Sequence, residues 1–300
     1  MSGLWLTVQQ AVFYRGREGQ LSFLARRLAG LGTLLFLTVH ILDTATVYFV
    51  PSLYAHAIAL YRSTPFMLGE ILLVAAVIYH GVNGLQLILH DTFPHWWRKT
   101  GERDSFWRTA ALSALLWVPP AYLMGRALYL NNICQCAPAA APVNSGLALA
   151  GILAVSAGVL AVLVWGQPFA APYPASALKP AGALPPGRGL EAWAWLLMRW
   201  SGALLVPLAW GHVLQQDALV GVHAINLDYV AMRWASLGWR LYDAALLVFA
   251  FAHGMNGLRG ILNEYLAASR WRGLATGLWL AVLVAVGAVG VIAVIGGVRL

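Results

Sequence analysis

Seven long apolar runs constrain this chain more than any other feature. They lie at roughly 28–50, 67–90, 107–130, 145–166, 193–216, 239–263 and 273–297. Each is close to the ~20 residues that a helix needs to cross a bilayer. Backbone N–H and C=O groups cannot be left bare in lipid, so all seven are expected to be helices. The composition agrees: 60% hydrophobic and 10% charged residues exclude an ordinary soluble domain. Residues 1–20 hold Arg15, Arg17 and Glu18 and lack the apolar stretch of a cleavable signal. Pro119-Pro120 and Pro207 are expected to kink the third and fifth runs.

The net charge of +8 is distributed by topology. With the N-terminus inside, the inner segments carry fourteen Lys and Arg (Arg15 to Arg27, Arg98 to Arg108, Lys179 to Arg199, Arg259 to Arg272). The outer ones carry five: Arg62, Arg126, Arg233, Arg240 and Arg299. The positive-inside rule then predicts a multi-pass protein of a bacterial-type cytoplasmic membrane, N-terminus in the cytoplasm and C-terminus outside. Basic residues confined to short loops do not form the single solvated face that a nucleic acid needs, so no such partner is expected. Cys134 and Cys136 fall in an outer loop and are read as two ordinary loop thiols, since the C-x-x-C-H of attached haem is absent.

The chain divides into 1–130, a connector at 131–190 and 191–300. The first and last parts repeat each other. Arg27 precedes His40 by thirteen residues, as Arg199 precedes His212. Gly30 and Gly202 hold matching places, and Asn and Gly follow at plus three and plus four after both His80 and His253. Each part has three spans. The extra helix at 145–166 and a Pro-rich linker at 167–190 restore the orientation, so the repeats are parallel and related by an axis along the membrane normal.

A lone histidine in lipid needs a partner. Equivalent residues can meet at the axis, so His80 can face His253 and His40 can face His212. Two imidazoles from facing helices are the ligands of six-coordinate b-type haem. The expectation is an all-α haem-binding bundle with one haem b at His80/His253 and a second at His40/His212. Gly84 and Gly257 leave room for the macrocycle, and Arg26, Arg27 and Arg199 pair with its propionates. His56, His90, His95 and His223 are read as interfacial. Asp43, Glu70 and Asp243 are read as polar pairs rather than proton relays.

These residues resemble the membrane anchor of succinate:quinone oxidoreductase, the complex II family of succinate dehydrogenases and fumarate reductases. Arg26-Arg27-Leu28-Ala29-Gly30 with His80, Gly84 and Asp91 resembles the larger cytochrome b anchor subunit. Trp193 to Trp200 with Arg199, Gly221 to Asn226, and His253, Gly257 and Tyr265 resemble the smaller. The chain thus looks like both anchors fused, over about 21–130 and 190–298. The resemblance implies a subunit of succinate dehydrogenase (quinone) in the tricarboxylic acid cycle. It does not itself oxidise succinate. It takes electrons from a flavoprotein and an iron–sulfur subunit to quinone in the membrane lipid, and it is compatible with a higher oligomer. It places Tyr265 and Arg27 at the quinone site, with Asp91 and Glu264 flanking. Phe23 stands where the family has Ser, with Ser22 adjacent. Two other readings fit intramembrane polar residues: the cytochrome b subunit of a membrane hydrogenase or formate dehydrogenase, which also uses transmembrane histidines, and a membrane transporter.

Overall fold

A computed structural model describes residues 18–93, 96, 102–138, 143–165 and 189–299. Arg15, Arg17, His95, Arg98, Lys99, Lys179, Arg188 and all but the last two residues of the linker at 167–190 lie outside the described residues. The described residues form α1 (Glu18–Phe49), α2 (Pro51–Tyr61), α3 (Thr64–Thr92), α4 (Glu102–Leu128), α5 (Ser145–Trp165), α6 (Leu190–Val213), α7 (Leu227–Ala235), α8 (Leu237–Leu266) and α9 (Arg272–Gly296). Short π-helical turns extend α4 over Tyr129–Ile133 and α6 over Leu214–Val220. No strand occurs among the described residues.

Six helices are long and apolar enough to cross a membrane: α1, α3, α5, α6 with its π turn, α8 and α9. The seventh predicted span, α4, has 27 residues but falls short in apolar character. Arg103, Asp104 and Arg108 crowd its first two turns, and Pro119 and Pro120 lie inside it. The helix nonetheless continues through both prolines, as α6 does through Pro207. The outer surface is apolar, with Leu35, Leu72, Leu115 and Leu147 each about 70% exposed. Such a surface suits lipid rather than water. The protein is an integral membrane helical bundle.

The four helices that carry the paired histidines form a ring: α1 packs on α3 and α8, and α6 on the same two. The third helix of each half flanks the second, α4 beside α3 and α9 beside α8. α5 packs chiefly on α6. One core gathers Val74, Ile78 and Val82 of α3 with Val159 of α5 and Trp210 of α6. Another gathers Leu34 and Ile41 of α1 with Phe251 and Met255 of α8 and Val286 of α9. Close approach of α8 to α1 requires Gly254, where a Cβ would come within 2.7 Å of Leu34 Cδ1.

Two short helices join the first and second spans of each half. α2 opens on Pro51, whose missing N–H costs nothing at a helix start. α7 opens on Asn226, whose side chain accepts from the Tyr229 N–H at 2.9 Å. Tyr54 and Ile58 of α2 meet Val230 and Trp234 of α7 over Val47 and Val294, closing one end of the ring. At that same end Cys134 and Cys136 form a disulfide. This corrects the expectation of two free thiols. Gln135 between them takes a positive φ of 54°, and the turn brings the two Cα atoms to 5.2 Å, within bonding reach.

Candidate functional site

The ring of four helices carries two histidine pairs. His80 on α3 and His253 on α8 have ring centres 6.2 Å apart. His40 on α1 and His212 on α6 also stand 6.2 Å apart. A metal–imidazole bond of about 2.0–2.1 Å, with about 1.1 Å from nitrogen to ring centre, separates two rings sharing one ion by about 6.3 Å. Both pairs have the spacing of two imidazoles on a single metal.

The tautomer of the first pair follows from its neighbours. His80 Nδ1 lies 3.1 Å from the Arg26 carbonyl. A carbonyl only accepts, so Nδ1 carries the hydrogen. His253 Nδ1 lies 2.9 Å from Ser201 Oγ, and that hydroxyl spends its one hydrogen on the Leu197 carbonyl. Ser201 therefore accepts from Nδ1 as well. Both rings are left with a bare Nε2 lone pair, the form in which histidine binds a metal.

Glycines seat these rings. A Cβ on Gly30 would approach His80 Cε1 to 2.8 Å, and one on Gly202 would approach His253 Cε1 to 3.3 Å. The shared Arg-x-x-Gly spacing thus places a glycine of α1 or α6 against the histidine of its own half. A Cβ on Gly84 would meet no atom within 4 Å among the described residues. One on Gly257 would sit in ordinary contact with Met198 Cε at 3.7 Å.

The second pair has acidic neighbours. His40 Nδ1 lies 3.7 Å from Asp43 Oδ1, and His212 Nδ1 lies 3.9 Å from Asp243 Oδ1. Asp43 accepts from Thr44 Oγ1 at 3.2 Å and from the Tyr61 hydroxyl. Asp243 accepts two bonds from Arg233, at 2.7 and 2.8 Å, and one from Trp234 Nε1 at 3.0 Å. Phe36 stacks on His40 with ring centres 5.4 Å apart.

At the far end of the ring, α1 and α6 each clasp the C-terminal end of a helix from the other half. Arg27 donates to Glu264 and, at 3.4 Å, to the Tyr265 hydroxyl oxygen. Arg199 donates to Asp91 through Nε at 3.0 Å and through Nη2. Asp91 therefore belongs to Arg199 and not to the Arg27 clasp. An aromatic ring four residues earlier lies under each guanidinium, Phe23 at 4.1 Å and Trp195 at 4.3 Å. Ser22 accepts from Asn83 Nδ2 at 2.6 Å, tying α1 to α3. Asn256 ties α8 to α6 by donating to the Ala194 carbonyl at 2.8 Å. Among the described residues no carboxylate pairs with Arg26.

A family model for the transmembrane subunit of succinate dehydrogenase and fumarate reductase matches residues 10–118 and 181–294. The chain belongs to that family. Among curated proteins, the succinate dehydrogenase 2 membrane subunit SdhC of Mycobacterium tuberculosis (strain ATCC 25618 / H37Rv) is 35% identical over 112 residues. That stretch is 37% of this chain and 81% of the relative. The chain is thus a multi-pass membrane anchor subunit of succinate dehydrogenase type, and the hydrogenase-type and transporter readings are set aside.

Asp43 and Asp243 are satisfied by the donors named above. His56 on α2 lies 2.9 Å from the Ser52 carbonyl through Nδ1. His223 lies in the turn before α7, where burial and the nearby Arg62 cation push its imidazole below the usual range. Ser201, Phe23 and Trp195 went unremarked as partners in the sequence. The repeat would have flagged the last two, because an aromatic precedes both clasp arginines by four residues.

Proposed function

We propose that this anchor holds haem b between His80 and His253, holds a second haem b between His40 and His212, and passes electrons from an iron–sulfur subunit to quinone. The tautomers of the first pair carry this reading most directly: two histidines at metal-sharing distance, each with Nδ1 engaged and Nε2 free. Haem supplies a one-electron carrier in the apolar interior. The chain supplies the axial nitrogens, glycine seats that fix ring positions, and Arg26 and Arg199 as cations for the propionates.

Quinone binds at the Arg27 clasp. Arg27 donates to the oxygen of Tyr265, so the phenol hydrogen is free to point outward to a quinone carbonyl. Tyr265 is 60% exposed, so a membrane-borne molecule can reach it. The cation of Arg27 polarises the hydroxyl and stabilises charge that builds on the carbonyl as two electrons and two protons arrive. Glu264 holds Arg27 in place. Asp91 does the same for Arg199 in the other half.

The chain is read as two fused anchor units, 1–130 and 191–300, with α5 in the connector. The two segments matched by the family model support this, as do the matched neighbours of each helix. The arginine clasps face the cytoplasm, where flavoprotein and iron–sulfur subunits dock, and the disulfide faces outward. A disulfide persists in an oxidising compartment, which agrees with that orientation.

A visible spectrum of the purified complex tests the haem reading. A Soret band and a b-type α-band should appear on dithionite reduction, with two haems per chain. His253→Ala and His212→Ala should each remove one. A complex without a Soret band sinks the proposal, and unchanged haem content in His212→Ala removes the second site.

A further inference from the structure

The two histidine pairs have the same ring spacing but different surroundings. Around His80 and His253 the Nδ1 partners are neutral, a backbone carbonyl and a hydroxyl. Around His40 and His212 the nearest charged neighbours of Nδ1 are carboxylates at 3.7 and 3.9 Å, beyond hydrogen-bond reach, and the buried His212 Nδ1 has no hydrogen-bond partner among the described residues. Those two carboxylates are not equivalent either. Arg233, only 6% exposed, holds Asp243 with two bonds and cancels its charge locally. Among the described residues Asp43 has only neutral donors, Tyr61 on Oδ2 and Thr44 on Oδ1. Both of its oxygens accept, as those of a carboxylate do. As a carboxylate it sets one negative charge 3.7 Å from His40 Nδ1, and among the described residues no Lys or Arg pairs with it.

We propose that Asp43 is a positioning residue that acts through His40 to lower the affinity of the iron at the His40/His212 site for an electron. This rests on the haem reading given above. At this distance a carboxylate acts through its charge rather than through a hydrogen bond, and a negative charge beside the imidazole favours ferric over ferrous iron. In an apolar interior that charge is weakly screened. Tyr61 tunes the effect, because its hydroxyl draws negative charge away from Asp43. Electrons would then rest on the His80/His253 site, and the His40/His212 site would fill only under strong reduction.

An optical redox titration of the assembled, detergent-solubilised complex tests this. Each iron takes one electron, so two one-electron steps are expected, and the step missing from His212→Ala is assigned to the His40/His212 site. In Asp43→Asn that step should move to higher potential by about tenfold in electron affinity, about 59 mV for one electron. The other step should stay in place. Tyr61→Phe should move the same step in the opposite direction, since the carboxylate loses a donor. If Asp43→Asn loses the haem outright, Tyr61→Phe decides alone: a lowered step supports the proposal and an unmoved one overturns it. Two haems with both potentials unmoved overturn the role of Asp43 and leave the haem reading standing. A wild-type complex with one haem, indifferent to His212→Ala, overturns both.

Discussion

The two arginine clasps are built to one plan and end differently. Each arginine lies thirteen residues before a histidine, and each acid lies eleven residues after one. Each arginine stacks on an aromatic four residues back. In each, an arginine of one half holds an acid of the other, so the halves are latched reciprocally. The difference lies one residue beyond the acid. Tyr265 follows Glu264, whereas Thr92 follows Asp91. Among the described residues only the first clasp has a phenol, and only there does the arginine touch a hydroxyl besides the acid. The second is the more enclosed: Asp91 is 22% exposed and Glu264 49%. Duplication supplies a latch twice, and a single aromatic hydroxyl turns one copy toward chemistry.

Tyr265→Phe would strain this comparison most. It removes the proposed proton donor and leaves both latches intact. Quinone reduction by the assembled complex should fall on the order of 10²-fold or more. Haem content and electron delivery to a soluble dye should be unchanged. Thr92→Val, the same position in the other half, should leave quinone reduction as it is. Full activity in Tyr265→Phe would mean that the clasps do not differ in the way described.

The arginines should separate next. Arg199→Gln leaves Asp91 largely enclosed without its cation, which costs about 1–3 kcal/mol. Thermal unfolding of the complex should show a clear drop in Tm. Arg27→Gln leaves Glu264 half exposed, and pairs of that kind contribute about 0–1 kcal/mol. Its Tm should barely move while quinone reduction falls. Equal Tm losses in the two variants would make the two clasps alike.

The spans were legible because lipid imposes length and apolarity on them, and α4 was the weak case for the same reason. The repeat was legible because histidines stand out among Leu, Ala and Val. The clasps were half legible. Arg27 and Glu264 lie 237 residues apart, and nothing local to either shows the pairing. Asp91 was accordingly grouped with Tyr265, when its partner is Arg199. The short helices α2 and α7 were missed because 11 and 9 residues show little periodicity, although Pro51 and Asn226 were readable as helix starts. The state of Cys134 and Cys136 depended on the backbone at Gln135, which spacing alone does not fix.

The smallest expected effects concern the glycine seats, and they test whether the two halves are equally tight. The Arg26 carbonyl holds the His80 ring, so the ring cannot retreat from a methyl group at Gly30. That methyl would stand 2.8 Å from Cε1 and 3.0 Å from Nδ1. Gly30→Ala should therefore cost about 1 kcal/mol through overpacking, toward the low end of the usual range. At Gly202 the nearest ring atom is 3.3 Å away, and the flexible Ile88 side chain is next at 3.6 Å. Gly202→Ala should cost less than half as much. Gly84→Ala meets no atom within 4 Å among the described residues, so a loss there is expected to come through the bound group. Its haem content should fall with the stability of the haem-free protein unchanged, while Gly30→Ala should lower both. If Gly84→Ala leaves haem content intact, the open space beside His80 is not where the macrocycle lies.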